Sequence, residues 1–289
     1  MSQMPEMNIK VKKFLPAGRQ EKSKVISNKK IKDNYFEIIV EAPEIAKSAQ
    51  PGQFVNIKVN DSYEPLLRRP LSIHRVKGNK IFLLYEVLGK GTEALSYRKA
   101  GECLDVIGPL GSGFKFNRRP ETVDSRYILV AGGMGTAPLI FLAEKLMEIK
   151  NQKSKIKNMV LIGAKSKSHI LCEKEFKELG YEAKISTDDG SRGFKGYVSE
   201  LLKQELSAIN RQLATICACG PTPMLKEISR ISLEQNIPAQ LSLESHMACG
   251  IGACIGCVIK VKSKKAKGKT EFEYKRVCKE GPVFEANQI

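Results

Sequence analysis

The chain has 289 residues, 42% hydrophobic and 27% charged, a globular mixture that excludes collagen-like, mucin-like and wholly disordered proteins. At about 150 residues per domain, this length predicts two domains with room for a small appendage. Lys and Arg total 48 against 31 Asp and Glu, a net charge of +17 that would suit an acidic partner, a nucleotide or a nucleic acid. Residues 1–22 mix Met, Pro, Gln and Lys without a periodic apolar face and read as a flexible basic extension. From Lys24 onward the chain runs in short β-rich segments: Lys24–Ile26, Tyr35–Val40, Phe54–Val59, Leu71–Val76, Ile81–Leu88 and Cys103–Ile107. Pro51-Gly52, Gly78-Asn79 and Gly101 punctuate them, and six short strands before any long helical pattern predict a small antiparallel barrel over 23–121.

After Pro120 strands alternate with helices. Arg126–Ala131, Asn158–Gly163, Glu182–Ser186, Ala214–Cys219 and Ala239–Leu243 read as strands, with helices over Thr136–Ile149, Glu173–Leu179, Val198–Ile209 and Pro223–Gln235 between them. Such alternation means right-handed crossovers and a parallel sheet, a Rossmann-like α/β domain over 122–244. Residues 245–289 break the pattern and hold four of the eight cysteines, so they form a third module. The longest stretch without a polar residue, Met247–Ile259, is well short of the roughly 20 residues that cross a bilayer, and no signal-peptide core precedes the first strand. A cytoplasmic protein is expected. The lysines are scattered, and the two dense stretches, Lys10–Lys13 and Lys262–Lys269, have the character of a tail and a hairpin tip, so nucleic acid is not the expected partner.

The sharpest signal is Cys249, Cys254 and Cys257 in C-x4-C-x2-C spacing, followed twenty residues later by Cys278. This is the plant-type arrangement for a [2Fe-2S] cluster, in which glycines between the first ligands let amides approach sulfur. Zinc and plain buried thiols remain alternatives, although four-cysteine zinc sites usually pair two C-x2-C knuckles and only one is present. Val258–Lys262 and Thr270–Val277 are strand-like, so a hairpin should return Cys278 to Cys257.

Two loops suit a dinucleotide. Gly132, Gly133, Gly135 and Thr136 follow a buried strand and open a helix, as do Cys219, Gly220 and Pro221, and glycines there allow backbone to approach a pyrophosphate at a helix N-terminus. Lys165 and Lys167, not an acidic residue, follow the second strand, so NADH and NADPH are not distinguished. In the barrel half, Arg69, Pro70, Leu71 and Ser72 start a strand, and Leu84, Tyr85 and Glu86 lead toward Gly91 and Thr92 at a short helix. An arginine fork suits phosphate, and a hydroxyl with extended backbone suits a flavin edge.

Taken in order, Arg69 to Ser72, Gly91-Thr92, Gly132 to Pro138 and Cys219 to Pro221 resemble the ferredoxin-reductase superfamily. The tail, Glu244 to Cys257 with Val277 to Phe284, resembles the electron transfer subunits of NAD-dependent (type B) dihydroorotate dehydrogenases. That resemblance implies FAD at Arg69 to Ser72, Leu84 to Glu86 and Gly91-Thr92, and NAD(H) at the two glycine loops. It also implies a [2Fe-2S] cluster on Cys249, Cys254, Cys257 and Cys278. A partner subunit would hold FMN and oxidise dihydroorotate in pyrimidine (UMP) biosynthesis, with two copies of each subunit. Electrons would pass from that FMN through the cluster and FAD to NAD, with no acid or base required of this chain.

The resemblance implies Cys219 near the nicotinamide, with a small buried cysteine as the alternative, whereas Cys103, Cys172 and Cys217 read as ordinary thiols. His246 reads as a hydrogen-bonding or surface residue, Asp188 to Ser191 as a turn, and the cluster's surroundings as an exposed apolar patch that a partner covers. Two alternatives are kept. One is the flavin and iron-sulfur subunit of an NADH-dependent ferredoxin:NADP oxidoreductase or a sulfide dehydrogenase; the other is a zinc-stabilised basic binding module without catalysis.

Overall fold

The computed structural model describes residues 18–116, 126–149, 158–210, 213–262 and 271–289. The Lys10–Lys13 stretch and residues 263–269 of the expected hairpin tip lie outside them.

The first module has seven strands instead of six: β1 (Arg19–Lys32), β2 (Tyr35–Glu41), β3 (Phe54–Lys58), β4 (Arg69–Ser72), β5 (Arg75–Lys77), β6 (Lys80–Glu86) and β7 (Cys103–Leu110). They form one antiparallel sheet in the order β4-β3-β7-β1-β2-β6-β5. Its two edge strands, β4 and β5, are neighbours in sequence. The Ile73 amide bonds to Gln53 and the His74 amide to Phe82, so the chain crosses from edge to edge there and curls the sheet into a barrel. This crossing is why the expected single strand Leu71–Val76 is two.

β1 starts at Arg19, so residues 19–22, expected in the extension, belong to the barrel. Arg19 to Lys24 pairs with Gly108 to Cys103, and this backbone ladder holds a polar run that has no apolar alternation to betray it. Inside, period-two alternation sends Val25, Ile38, Val40, Val55, Ile57, Leu83 and Val106 into one core. α1 (Pro43–Ser48), with proline in its first turn, adds Ile45 to that core.

In the second module β8 (Arg126–Gly132), β9 (Met159–Ala164), β10 (Glu182–Thr187), β11 (Phe194–Lys195), β12 (Ala214–Cys219) and β13 (Ala239–Ser242) are parallel, in the order β11-β10-β9-β8-β12-β13. α3 (Thr136–Ile149) and α4 (Glu173–Glu178) cover one face; α5 (Val198–Ser207) and α6 (Thr222–Glu234) cover the other. Alternate residues of each strand serve the two faces: Ile128 and Val130 meet α5 and α6, while Leu129 and Ala131 meet α3. The strand order reverses between β8 and β12, the place where an open parallel sheet leaves a crevice for a ligand.

The third module is the hairpin β14 (Val258–Lys262) and β15 (Phe272–Arg276) beside the cysteine loop. The chain then leaves it. β16 (Val283–Glu285) pairs antiparallel with β13 and completes the α/β sheet, with Phe284 opposite Leu241. Residues 283–288, expected to stay with the cysteines, are therefore built into the second module, where they cover an edge strand that would otherwise be bare.

Side chains join the modules. Phe141 of α3 enters the barrel core, the Arg75 guanidinium meets Glu144 at 2.6 Å, and His74 bonds through Nδ1 to the Ala137 carbonyl at 2.8 Å. Phe54 and Leu110 on the outer face of β3 and β7 pack with Cys257, Val261, Val277 and Cys278. Among the described residues no helix is long and apolar enough to cross a membrane.

Candidate cofactor cleft and cysteine cluster

One cleft of about 660 Å³ lies where the modules meet. The barrel supplies Arg69 to Ser72, Leu84 to Glu86, Leu88 and Thr92. The α/β domain supplies Met134, Ala137, Pro138, Cys219 and Thr222, and the segment leading to the cysteines supplies Glu244 to Met247.

The two adjacent arginines have different duties. Arg68 is held by the barrel: its Nη2 meets Asp105 Oδ2 at 2.7 Å and its Nη1 meets the Asp105 carbonyl at 2.9 Å. Burial raises the Asp105 carboxyl, but the Arg68 hydrogen bond and charge outweigh it and hold the group below the usual range. Among the described residues Arg69 bonds to the carbonyls of Leu67 and Arg68, and it lines the cleft. It lies on Gly91, where a Cβ would come within 1.9 Å of Arg69 Nε, so Gly91 is what allows this placement.

α2 (Lys90–Ser96) begins there, and Thr92 Oγ1 accepts from the amides of Leu88 and Gly89 to fix the turn. All seven expected residues Arg69 to Ser72 and Leu84 to Glu86 line the cleft. Leu71 and Tyr85 turn their side chains into the barrel core, with the Tyr85 hydroxyl donating to Asn28 Oδ1 at 3.0 Å, so these two offer the cleft backbone.

Across the cleft the glycine loop and the Cys219 loop pack backbone against backbone. A Cβ on Gly135 would lie 2.0 Å from the Cys219 carbonyl oxygen, one on Gly132 would lie 2.7 Å from Met224 Sδ, and Gly220 (φ +154°) rests on Gly132. Gly133 differs, with φ +53° and nothing within 4 Å of its Cβ position. Most glycines of this motif thus serve loop packing, and Gly133 is the one whose Cβ position is open. Thr136 Oγ1 donates to the Gly133 carbonyl at 3.0 Å, and Pro221 caps α6. Cys219 lines the cleft, its thiol pushed up to about 12 by burial. Asp189 Oδ1 accepts from the Ser191 amide, which makes the Asp188 to Ser191 segment the expected turn.

The hairpin returns Cys278 to Cys257: the Val277 amide bonds to the Cys257 carbonyl at 3.0 Å and the Cys278 amide to Cys257 Sγ at 3.4 Å. The Cys254 amide points at Cys249 Sγ at 3.4 Å, and the Gly256 amide at Cys254 Sγ at 3.5 Å. Gly250 and Gly252 adopt φ of +68° and +84°, which tightens the loop so that its amides face sulfur. Burial alone would raise the Cys249 thiol, but the amides of Cys254, Ile251 and Ala253 bring it down to about 6. Cys278 is pushed up to about 12 by burial and by the neighbouring Cys257.

Arg276 braces the loop by donating to the Gly252 carbonyl at 2.7 Å while paired with Glu280. Amides aimed at sulfur and adjoining thiols that one cationic centre would neutralise fit an iron-sulfur cluster. Among the described residues no group of three or more His, Cys, Asp or Glu side chains is drawn together tightly enough for a single ion; a two-iron cluster takes two thiolates on each iron. Ile251, Ile255, Val258 and Tyr274 are exposed beside the cysteines, where an apolar patch was expected.

Cys103, Cys172 and Cys217 lie apart from this set, and Cys217 is buried on the α3 face of the sheet. Met134, Leu88 and Met247, within the quoted motifs, line the cleft, whereas sequence reasoning did not single out His74 and Asn56, which bond to the Ala137 and Cys249 carbonyls. His74 and Asn56 belong to no motif, and only the meeting of modules gives them partners.

A curled antiparallel barrel, a parallel sheet with paired loops at its switch point and a cleft between them define a nicotinamide-linked reductase of the ferredoxin-reductase class. A solved structure described as an NADH-dependent reduced ferredoxin-NADP oxidoreductase matches 92% of this chain and 88% of its own at TM-score 0.75 and 28% identity. A ferredoxin NADP+ reductase from Neisseria gonorrhoeae shares the fold at TM-score 0.62 and 14% identity, over 75% of this chain and 91% of its own. Residues 129–230 match the oxidoreductase NAD-binding domain, and residues 244–289 match the iron-sulfur cluster binding domain of dihydroorotate dehydrogenase B. The chain belongs to the family of dihydroorotate dehydrogenase B (NAD(+)) electron transfer subunits: it is 41% identical to that of Desulforamulus reducens over 92% of this chain and 97% of the relative. With that of a Geobacillus species it shares 38% identity over 94% and 98%.

Proposed function

We propose that this chain is the electron transfer subunit of a cytoplasmic NAD-dependent dihydroorotate dehydrogenase, working with an FMN-containing catalytic subunit in a complex of two copies of each. The observation that carries this reading is a cleft that joins the flavin-type strand, the nicotinamide-type loops and the segment leading into the cysteines. FAD, when bound, would exchange one hydride, two electrons with a proton, with NAD(H) and single electrons with the cluster.

The chain's own residues supply the positions. Arg69, with the free amides at the start of α2 around Gly91 and Thr92, would hold the FAD phosphates. Pro70 and Ser72 of β4 and Leu84 and Glu86 of β6 would meet the flavin, together with the backbone of Leu71 and Tyr85. Gly132, Gly133, Gly135, Thr136, Gly220 and Pro221 would form the nicotinamide dinucleotide site, with Cys219 at its inner end. Cys249, Cys254, Cys257 and Cys278 would hold the [2Fe-2S] cluster, and the apolar patch beside them would meet the catalytic subunit.

An anaerobic visible spectrum before and after NADH, with iron and flavin assays and identification of the co-purifying partner, tests this reading. FAD and two irons per chain, bleaching by NADH and an FMN protein that oxidises dihydroorotate are expected. A colourless zinc protein would refute the redox reading. Co-purification with a large NADPH-binding flavoprotein would instead favour the NADH-dependent ferredoxin:NADP oxidoreductase reading, to which the 28% identical structure gives weight.

A further inference from the structure

β3 sends Val55 and Ile57 into the barrel core and turns Phe54 and Asn56 outward, toward the cysteine module. Asn56 is fully buried. Its Nδ2 donates to the Cys249 carbonyl at 3.0 Å. Gly250 rests on the same amide: a Cβ there would lie 2.5 Å from Nδ2, and the residue sits at φ +68°. Glycine at this place in the C-x4-C loop is therefore matched to Asn56 of the barrel as well as to the sulfurs.

The other half of the amide is not satisfied, since among the described residues nothing donates to Asn56 Oδ1. A buried side chain with one hydrogen bond made and one acceptor orphaned adds little net stability, and an apolar residue of its size would serve packing as well. What Asn56 uniquely supplies is a directed bond to the first cluster cysteine. In register it faces Pro70 of β4, the strand whose Arg69 and Ser72 line the cleft.

On the reading of the cleft and cysteines given above, we propose that Asn56 is a positioning residue that latches the Cys249 loop to β3, beside the flavin strand β4, and so fixes the placement of the cluster relative to the flavin. Electron transfer between two centres slows as they move apart, and a loop free to shift would carry the cluster with it. A latch that limits such shifts is thus worth a buried orphan acceptor.

The test uses Asn56→Leu, which keeps the volume and removes the donor, and Gly250→Ala, which forces the loop off the same amide from the other side. Hydrogen exchange at the amides of residues 249–256 is measured on the full chain, together with flavin reduction by NADH, the subsequent reduction of the cluster, and the electron paramagnetic resonance spectrum of the reduced cluster. In both variants the loop amides should exchange about tenfold faster and the cluster should be reduced at least tenfold more slowly, with an altered resonance anisotropy. Flavin reduction by NADH should stay within twofold. Loop exchange and cluster reduction within twofold of the parent in a folded Asn56→Leu protein would overturn the latch. A purified chain with neither flavin nor iron would refute the cofactor reading, while the exchange measurement would still decide whether Asn56 holds the loop.

Discussion

His74 couples acid stability to the joint between barrel and α/β domain. It is 3% exposed, its Nδ1–H donates to the Ala137 carbonyl at the start of α3, and burial, aided by the Arg75 charge, pushes its imidazole down to about 4. The unfolded chain takes up this proton near pH 6.5, the folded chain only near 4. The unfolded state therefore binds more protons between these values, and stability falls as pH falls. The contribution is fully present above about pH 6.5, and roughly 2 kcal/mol of it is lost by pH 5 and about 3 kcal/mol below pH 4. His74→Asn keeps an N–H donor for Ala137 but does not titrate. Urea unfolding of FAD-loaded parent and variant at pH 7.5 and 5 isolates the effect, because every other titrating group is shared. The parent should lose about 2 kcal/mol more than the variant. Equal losses would refute the assignment of a neutral, buried His74 as the clamp between the modules.

Three further outcomes follow from the site. Replacing Cys249 or Cys278 by serine should remove the iron and its visible absorption while FAD content and NADH:ferricyanide activity persist; Cys217→Ser, outside the set, should keep full iron. Arg69→Ala should weaken FAD by about 10- to 100-fold, the loss of a charge-assisted contact worth about 1.5–3 kcal/mol, read by flavin titration of the deflavinated protein. Arg68→Ala should instead lower the melting temperature, since its partner is Asp105. Gly135→Ala puts a Cβ 2.0 Å from the Cys219 carbonyl oxygen, backbone that cannot yield as a side chain would. It should cost about 1–3 kcal/mol in thermal unfolding and raise the KM for NADH, and an unchanged melt would contradict the packing of the two loops.

Much of this was legible without coordinates because the signals are local. The C-x4-C-x2-C spacing, the glycine loop between a buried strand and a helix, and the alternation of strands and helices after Pro120 each depend on residues within a few positions of one another. β8, α3, β9, β10, β12 and β13 fall within a residue or two of their expected ends. Local signals fail where partners are far apart in sequence. Arg19 to Lys22 reads as polar tail until β7 pairs with it, and Val283 to Glu285 reads as part of the cysteine module until β13 accepts it as an edge.

The same division runs through the site. The sequence by itself determined which residue types could hold a cluster, a dinucleotide and a phosphate, because chemistry and spacing are properties of short segments. Only the tertiary structure showed that Arg68 is tied to Asp105, that Tyr85 belongs to the barrel core, and that Gly135 serves a neighbouring loop. It also brought Asn56 to Cys249 across 193 positions of chain. Such assignments depend on which face of a strand meets which neighbour, and that is fixed by the packing of whole modules against one another.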